Sequence, residues 1–317
     1  MNVSTEIQAV NTSKKKKITL KKLKDQRYLM LMSIPFVIWV IVFKYLPLAG
    51  WSMAFQDYKP GQSMFDQTWV GLKYFKQLFS DDMFPKVMIN TLAMSILGII
   101  FGFLIPIVFA LFLNELRGVK FKRLVQTVSY LPHFVSWVIV ANIVTTMLST
   151  TGPVNEILVH LHLFSKPVDF MTKPNWFWGI VTGSDVWKET GWNAIIYLAA
   201  MTGIDTEQYD AAKVDGANRF RQIIHITLPG IRPTVIVLLI MSIGNLINIG
   251  FEKQWLLGNN IVADKSLVLD KYALDYGIGM FRYSFGTAIG IFKSVVSIVL
   301  LIFANQVAKR SGEGRII

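Results

Sequence analysis

The chain has 317 residues, of which 53% are hydrophobic and only 16% charged, and its formal net charge is +12. A soluble domain usually carries about a quarter charged residues. Here the apolar residues gather into runs as long as a bilayer is thick, so an unusually apolar soluble protein is a poor alternative. The absence of cysteine excludes disulfides and thiolate metal sites.

The N-terminal region is strongly basic. Residues 13–27 hold eight cations and one acid, with apolar residues interleaved, as in short amphipathic helices that lie on anionic headgroups. The apolar run at 28–50 that follows is too long for a signal peptide, and no clear cleavage site follows it. We therefore predict a basic interfacial segment at 1–27 and a first membrane span at 28–50.

Five further apolar runs predict five more spans. They cover 86–113, 124–148, 174–201, 233–250 and 284–307. The N-terminus, two of the connections and the tail at 308–317 together hold 19 of the 32 cations, so the positive-inside rule places them in the cytoplasm. The sequence thus predicts an all-α integral membrane protein of about six helices, with a transmembrane domain at 28–307 and both termini inside. The net charge is then accounted for without nucleic acid.

The cytoplasmic connection at 203–232 has the pattern of two short helices separated by a glycine. Asp205 can cap the first helix, with Gln208 in the capping-box position, and Gly216 can end it. A second amphipathic helix at about 218–226 is expected to end at Leu228 and Pro229, where span five begins. Such an elbow is a surface that a cytoplasmic protein can grip.

This connection also carries a long motif. It resembles the coupling-loop signature E-A-A-x3-G-x9-I-x-L-P of binding-protein-dependent ABC importer permeases, at Asp210, Ala211, Ala212, Gly216, Ile226, Leu228 and Pro229. The one departure is Asp210, which keeps the charge of the usual glutamate. Further similarity, including Asn90-Thr91 and the segment 283–288, extends over nearly the whole chain. In these details the chain resembles the carbohydrate branch of the family, which is related to maltose permease. Within that branch it resembles the group handling oligosaccharides derived from polysaccharides.

The resemblance implies a type I ABC importer permease fold in the cell membrane. It also implies a second, usually non-identical permease, two cytoplasmic ATPases that bind ATP and Mg²⁺, and an extracytoplasmic solute-binding protein that delivers an oligosaccharide. ATP-driven closure of the ATPases would rock the membrane helices between inward-open and outward-open states. Because no G-x-x-x-x-G-K-[ST] loop occurs, we expect this chain to bind no cofactor and to be no enzyme itself.

The middle of span four is unusually polar. Its candidate substrate-path residues are Trp187, Lys188, Glu189, Trp192 and Asn193. A charge in hydrocarbon costs roughly 2.5–3.5 kcal/mol on insertion scales, so such residues normally face a cavity or a partner. Two interpretations are equally open: the tryptophans stack on sugar faces while lysine and asparagine donate hydrogen bonds, or the residues form a structural cluster in which Glu189 pairs elsewhere in the bundle.

Three further candidate residues lie in spans five and six. Asn245 and Asn248 fall on one face of a predicted helix, where they contact either the substrate or, as we slightly prefer, a neighbouring subunit. Lys293 is a buried-charge candidate about ten residues into span six. Several cavity-facing lysines would suit an acidic, uronate-type oligosaccharide, although the residues leave open whether the sugar is acidic or neutral.

The alternatives to an importer permease have weaker support. An ion-coupled secondary transporter or channel would usually show inverted repeats or a row of carboxylates, and neither is convincing here. The four histidines are spread as His133, His160, His162 and His225, a spacing that does not favour a metal site. No G-x-S-x-G elbow or other hydrolase signature is present.

Overall fold

The computed structural model describes residues 26–310, so most of the predicted basic segment and the residues after 310 lie outside the described part. The chain divides into two compact units, residues 1–51 and 52–317, and span one is described by itself. It consists of the α-helix Arg27–Val40, a π-helical turn at Ile41–Tyr45 and a 3-10 helix at Leu46–Phe55. Its apolar composition suits a helix surrounded by lipid.

The remaining predicted spans lie in the second unit. By length and composition, four described helices can cross a membrane. One is span one, Arg27–Phe55, and the other three are Met83–Glu115, Arg219–Gly244 and Tyr283–Arg310. The helix Pro174–Thr202, which is span four, has 29 residues and is therefore about 43 Å long. It is long enough to cross, but its middle carries the charged residues Asp185, Lys188 and Glu189. All five are predominantly helical, as the sequence predicts.

Span three is broken, in contrast to the continuous helix predicted at 124–148. It consists of the helix Val119–Tyr130, a 3-10 turn at Leu131–Phe134 and the helix Trp137–Met147, and the two parts are bent by 103°. Pro132 has no N–H and cannot continue the first helix. The Ser136 hydroxyl accepts a hydrogen bond from the Ile139 N–H and so caps the second helix. Counted as one span, the bent pair brings the described segments that are long and apolar enough to cross a membrane to five, and span four is a further segment of sufficient length.

Span five begins earlier and ends earlier than the predicted range 233–250. The helix Arg219–Gln222, a π-helical turn at Ile223–Thr227 and the helix Leu228–Gly244 follow one another without a break. Pro229 therefore does not separate the elbow from the span, because a proline is tolerated in the first turn of a helix and the wider π turn precedes it. Residues 245–250 are not helical. Asn245 and Asn248 consequently do not share a helix face, contrary to the prediction.

Between spans five and six, residues 251–282 form a compact series of short helices, which we call the folded connection. Its elements are Glu252–Leu257, Asn260–Val262, Ala263–Ser266, Leu269–Leu274 and the π-helical turn Asp275–Gly279. Leu257, Val262 and Val268 are buried against Phe177 and Val181 of span four. What the sequence suggests to be an external loop is therefore part of the core.

Polar side chains of span two fasten the folded connection. The Asn90 amide donates to the backbone carbonyls of Asp264 and Leu267, at 2.8 and 2.9 Å. The Thr91 hydroxyl accepts from the Leu269 N–H at 2.9 Å. Asn90 and Thr91 are almost fully buried, so these bonds satisfy backbone groups that water cannot reach.

A small hairpin lies between spans one and two. Its strands β1, Gln56–Asp57, and β2, Thr68–Trp69, pair antiparallel and are followed by the helix Lys73–Ser80. A hydrogen bond from the Tyr74 hydroxyl holds the pKa of Asp57 below its ordinary value, and burial together with this bond raises the pKa of Tyr74 to about 12. The remaining short helices, Pro153–His160 and Phe170–Thr172, lie between spans three and four.

Candidate functional site

A polar cavity of about 340 Å³ lies where spans two and four meet the end of span five and the start of the folded connection. Its polar lining consists of Ser95, Thr182, Asp185, Glu189, Thr190, Asn193, Ser242, Asn245, Asn248, Lys253 and Gln254. On span two, Gly98 and Gly102 line the cavity and have no atom within 4 Å of the place where a Cβ would stand. These glycines therefore leave the wall open, and the cavity offers hydroxyl and amide groups to a polar solute.

Four predicted substrate-path residues, Glu189, Asn193, Asn245 and Asn248, line this cavity. The Asn248 amide also donates to the Ser297 hydroxyl of span six at 2.7 Å. Asn245 lies at the C-cap of span five and bonds back to the Met241 carbonyl at 3.1 Å. The structure thus brings residues of span four together with residues that follow the helix of span five, up to 59 positions later in the sequence.



The prediction that Asn245 and Asn248 lie on one helix face is wrong, because the helix of span five ends at Gly244. Both amides nevertheless reach the same cavity from the non-helical residues that follow. Backbone that leaves a helix at membrane depth is tolerated where it is buried in protein or lines a polar cavity, and these residues line the cavity.

Two other residues predicted in span four, Lys188 and Trp192, form a cluster with Glu189 and with His133, which lies at the bend of span three. Glu189 bonds the His133 ring at 2.7 Å and the Lys188 ammonium at 3.1 Å. Trp192 stacks on the same ring, with centroids 4.3 Å apart and an interplanar angle of 2°. Of the two interpretations open from the sequence, this geometry favours the structural cluster for Lys188 and Trp192. Trp187 lies outside the cavity, in an apolar groove with Met147.

Lys188 has a further contact that explains its burial. Its ammonium donates to the His133 backbone carbonyl at 2.6 Å, and the residue is only 5% exposed. The last carbonyls of a helix have no partner within the helix, and a cation near them is favourable. Lys188 therefore satisfies a backbone group that the bend of span three leaves open.

Lys293 also lies away from the cavity lining. Its ammonium pairs with Asp270 of the folded connection, whose other carboxylate oxygen accepts the Gly250 N–H at 2.9 Å. The Lys293 and Asp270 side chains are 12% and 18% exposed. The pair joins span six to the residues that follow span five.

Sequence reasoning missed an ion pair at the cavity wall. Lys253 and Asp185 are 2.9 Å apart, and both side chains line the cavity. Asp185 lies four positions before Glu189 and therefore on the same face of span four, a spacing that could have revealed it. Lys253 gave no such signal, because it lies in a segment that the sequence presents as a loop.

A second surface of interest is the elbow at 203–232. The Asp205 carboxylate accepts the Glu207 N–H at 3.0 Å and caps the helix Thr206–Val214. Gly216 follows with φ of 74°, a conformation that L side chains rarely adopt. Asn218 accepts the Arg221 N–H at 2.9 Å and caps the second helix. The helix–glycine–helix arrangement predicted from the sequence is therefore present.

The elbow presents both apolar and charged groups to its surroundings. Val214 and Phe220 are 88% and 69% exposed, and Asp210 forms an exposed pair with Lys213 at 2.8 Å. Among the other motif residues, Ala211, Gly216, Leu228 and Pro229 are exposed, and Ala212 and Ile226 are half-buried. Exposed aromatic and aliphatic side chains beside charges are typical of a protein-binding surface.

Two contacts tie the elbow to the membrane part. The Tyr209 and Thr227 hydroxyls are 3.0 Å apart, so the first helix is fastened to the π turn that leads into span five. Arg219 pairs with Glu115, the last residue of the span-two helix, at 3.1 Å. A force on the elbow can therefore reach the spans that line the cavity.

The family follows from a comparison of the sequence with family models. Residues 96–312 match the model of the binding-protein-dependent transport system inner membrane component. The chain belongs to this family. The matched region contains the elbow and most of the cavity lining, so the two sites described above lie within the part that defines the family.

Relatives of the permease extend the similarity to nearly the whole chain. Protein LplB of Bacillus subtilis is 42% identical over 91% of this chain and 90% of its own length. The polygalacturonan/rhamnogalacturonan transport system permease protein YteP of the same organism is 41% identical over 94% and 93%. The resemblance stated from the elbow motif is thereby confirmed, including its polysaccharide-related group.

Solved structures confirm the fold. A crystal structure of a bacterial ABC transporter involved in the import of the acidic polysaccharide alginate contains a chain 40% identical to this permease. The TM-score is 0.84, and the match covers 92% of this chain and 98% of that one. In a second crystal structure, the bacterial alginate ABC transporter is in complex with an alginate pentasaccharide-bound periplasmic protein, and its matching chain has a TM-score of 0.85 at 39% identity. The permease thus has the predicted all-α ABC importer permease fold.

Proposed function

We propose that this permease forms one half of the translocation path of an ATP-driven oligosaccharide importer. A second, non-identical permease completes the path, two ATPases bind ATP and Mg²⁺ and dock on the cytoplasmic side, and an extracytoplasmic solute-binding protein delivers the sugar. Both termini of the permease are cytoplasmic in this arrangement, because the basic connections lie on their side. The exposed elbow, in direct helical continuity with span five, is the observation that carries the proposal.

The elbow offers a direct route from ATP hydrolysis to the cavity. An ATPase that grips Val214 and Phe220 moves the helix Arg219–Gly244 as one body. The far end of that helix carries Ser242, and Asn245 lies at its C-cap, so displacement changes the cavity wall itself. The mechanism requires two states of the spans and a partner whose contacts differ between them.

For the substrate we propose an acidic oligosaccharide. Similar chains belong to systems named for polygalacturonan and for alginate, both of them acidic polysaccharides. The cavity supplies amide and hydroxyl groups that can bond sugar hydroxyls. The argument from several cavity-facing lysines is not supported, since Lys188 and Lys293 are engaged elsewhere and Lys253 alone of the predicted and observed lysines lines the cavity.

A glycine substitution in the elbow tests the ATPase-coupling role. Gly216→Val places a β-branched side chain at φ of 74°, which distorts the elbow without meeting a neighbouring atom. In the complete complex reconstituted with its binding protein, we expect solute-stimulated ATP hydrolysis and sugar uptake to fall at least tenfold.

Gly61→Val is the matched control, because Gly61 also has positive φ and open space but lies in the hairpin outside the elbow. It should retain both activities. Full, coupled activity of the Gly216→Val complex would contradict the coupling role and would favour a transporter driven by an ion gradient.

A further inference from the structure

The charged residues around the cavity fall into two groups. Glu189 bonds His133 and Lys188, and Lys188 itself is almost fully buried and does not line the cavity. Asp185 and Lys253 form a second pair, in which both side chains line the cavity and are 31% and 21% exposed. Within the described residues, Lys253 is the one basic side chain in the cavity lining. A negatively charged solute that enters the cavity therefore meets a single cation, and that cation already has a partner.

The position of Lys253 is held from a second side. Its ammonium lies 5.5 Å from the centre of the Trp137 ring, a distance typical of cation–π contacts. Trp137 is the first residue of the helix that follows the bend of span three. The ring can keep the ammonium in place while its hydrogen bonds are redistributed, since an ammonium has three donors and Asp185 does not need all of them.

We propose that Lys253 binds the carboxylates of the passing acidic oligosaccharide, and that Asp185 keeps this contact weak enough for release. The inference rests on the proposed function and adds the residues that set charge selectivity. An unpaired lysine in a partly dehydrated cavity would hold a carboxylate strongly, because charge interactions strengthen as water is excluded. With Asp185 present, the solute carboxylate shares the ammonium with a second negative charge, which weakens its attraction. Transport requires a site that attracts its solute and also lets it leave.

The proposal predicts different effects for the two members of the pair. Lys253→Gln removes the cation, and we expect uptake of an acidic sugar to fall about tenfold, the usual effect of losing one charged hydrogen bond. Lys253→Arg keeps the charge and should retain the preference for the acid. Asp185→Asn leaves Lys253 without its competing carboxylate, so KM for the acidic sugar should fall severalfold while kcat also falls, because release becomes slower.

The experiment uses the complete complex in proteoliposomes, with its binding protein outside and ATP inside. The probes are an alginate pentasaccharide and its methyl ester, which has the same chain without charge. Because every variant is supplied by the same binding protein, a change in the acid-to-ester uptake ratio reports the permease. Lys293→Gln is the matched control: it breaks a lysine–aspartate pair outside the cavity lining and should affect both probes equally.

The outcomes separate the two proposals. A wild-type complex that takes up neither probe overturns the proposed substrate class. A wild-type complex that prefers the acid, together with Lys253→Gln and Asp185→Asn variants whose acid-to-ester ratio is unchanged, overturns the role of the pair alone. If the complex that contains Lys253→Gln fails to assemble, an unchanged KM for the acidic sugar in the Asp185→Asn complex is sufficient to reject the role of the pair.

Discussion

Lys188 is a charged residue in the middle of a membrane-length helix that nonetheless does not line the cavity. It bonds the His133 carbonyl and the Glu189 carboxylate, and it is almost fully buried. Removing one partner from a buried charged cluster leaves the other charge uncompensated, which costs far more than breaking an exposed pair. The residue therefore acts on the permease through stability, by holding span four against the bend of span three.

Replacing this lysine tests that role. Lys188→Met keeps the length of the side chain but leaves the His133 carbonyl and Glu189 with one partner fewer. We expect the free energy of unfolding to fall by about 3 kcal/mol. Thermal unfolding of the purified protein in detergent measures the effect.

Lys86→Met is the matched control, because the contact of Lys86 with Asp264 spans 3.9 Å and both side chains are mostly exposed. Its effect should stay below about 0.5 kcal/mol. Equal losses in the two variants would show that Lys188 is not a structural cation.

The candidate site was only partly predictable from such residues. The cost of polarity in a membrane pointed to Glu189 and Asn193, which do line the cavity. It could not show that Trp187 and Lys188 lie outside the cavity lining. Polar residues occur on several faces of span four, and the sequence does not say which face meets the cavity. Lys253 was out of reach, since its position depends on how the folded connection packs.

Span four approaches the bend of span three unusually closely. A Cβ at Gly191 would lie 2.0 Å from the Ser129 carbonyl oxygen, so only glycine fits there. This contact brings Glu189 within reach of His133 and places Trp192 on its ring. Small residues in membrane helices commonly serve such close packing.

Two alanine substitutions on this helix separate packing from helix propensity. Gly191→Ala forces backbone apart and should lower the free energy of unfolding by at least about 2 kcal/mol. Gly183→Ala meets no atom within 4 Å and should be neutral or slightly stabilising, because alanine is the better helix former. Thermal unfolding of both variants checks this, and a tolerated alanine at Gly191 would contradict the close approach.

At the level of helices, hydropathy predicted the existence of the spans better than their course. Length and apolar composition identified spans one, two and six to within a few residues of their observed ends. Hydropathy did not predict the bend at Pro132, because the apolar residues on both sides of the proline form one run of membrane length. Hydropathy also did not predict that the folded connection is buried, because its short helices carry charged residues. Some of these charges pair within the connection, and Asp270 pairs with Lys293 of span six.

For the molecule as a whole, the decisive feature is the uninterrupted helix from the elbow to the cavity. If it transmits force, softening it should separate ATP hydrolysis from transport. Ile224→Gly combined with His225→Gly weakens the π turn by about 1 kcal/mol of helix propensity relative to the unmodified chain, and both side chains are exposed. We expect ATP hydrolysis in the reconstituted complex to continue while sugar uptake per ATP falls severalfold.

The corresponding double alanine variant, Ile224→Ala with His225→Ala, removes the same side chains but preserves the helix. It should keep uptake and hydrolysis coupled. Comparable uptake per ATP in the glycine and alanine variants would mean that the stiffness of this helix is irrelevant to coupling.

The polarity of span four also has a consequence for how the chain is made. Its central charges oppose spontaneous entry of this helix into the bilayer, and the partner of Asp185 is Lys253, which is synthesised only after span five. Asp185 can therefore pair only after span five and the residues that follow it have been synthesised. We expect span four to reach its final environment only when that later part of the chain has packed against it.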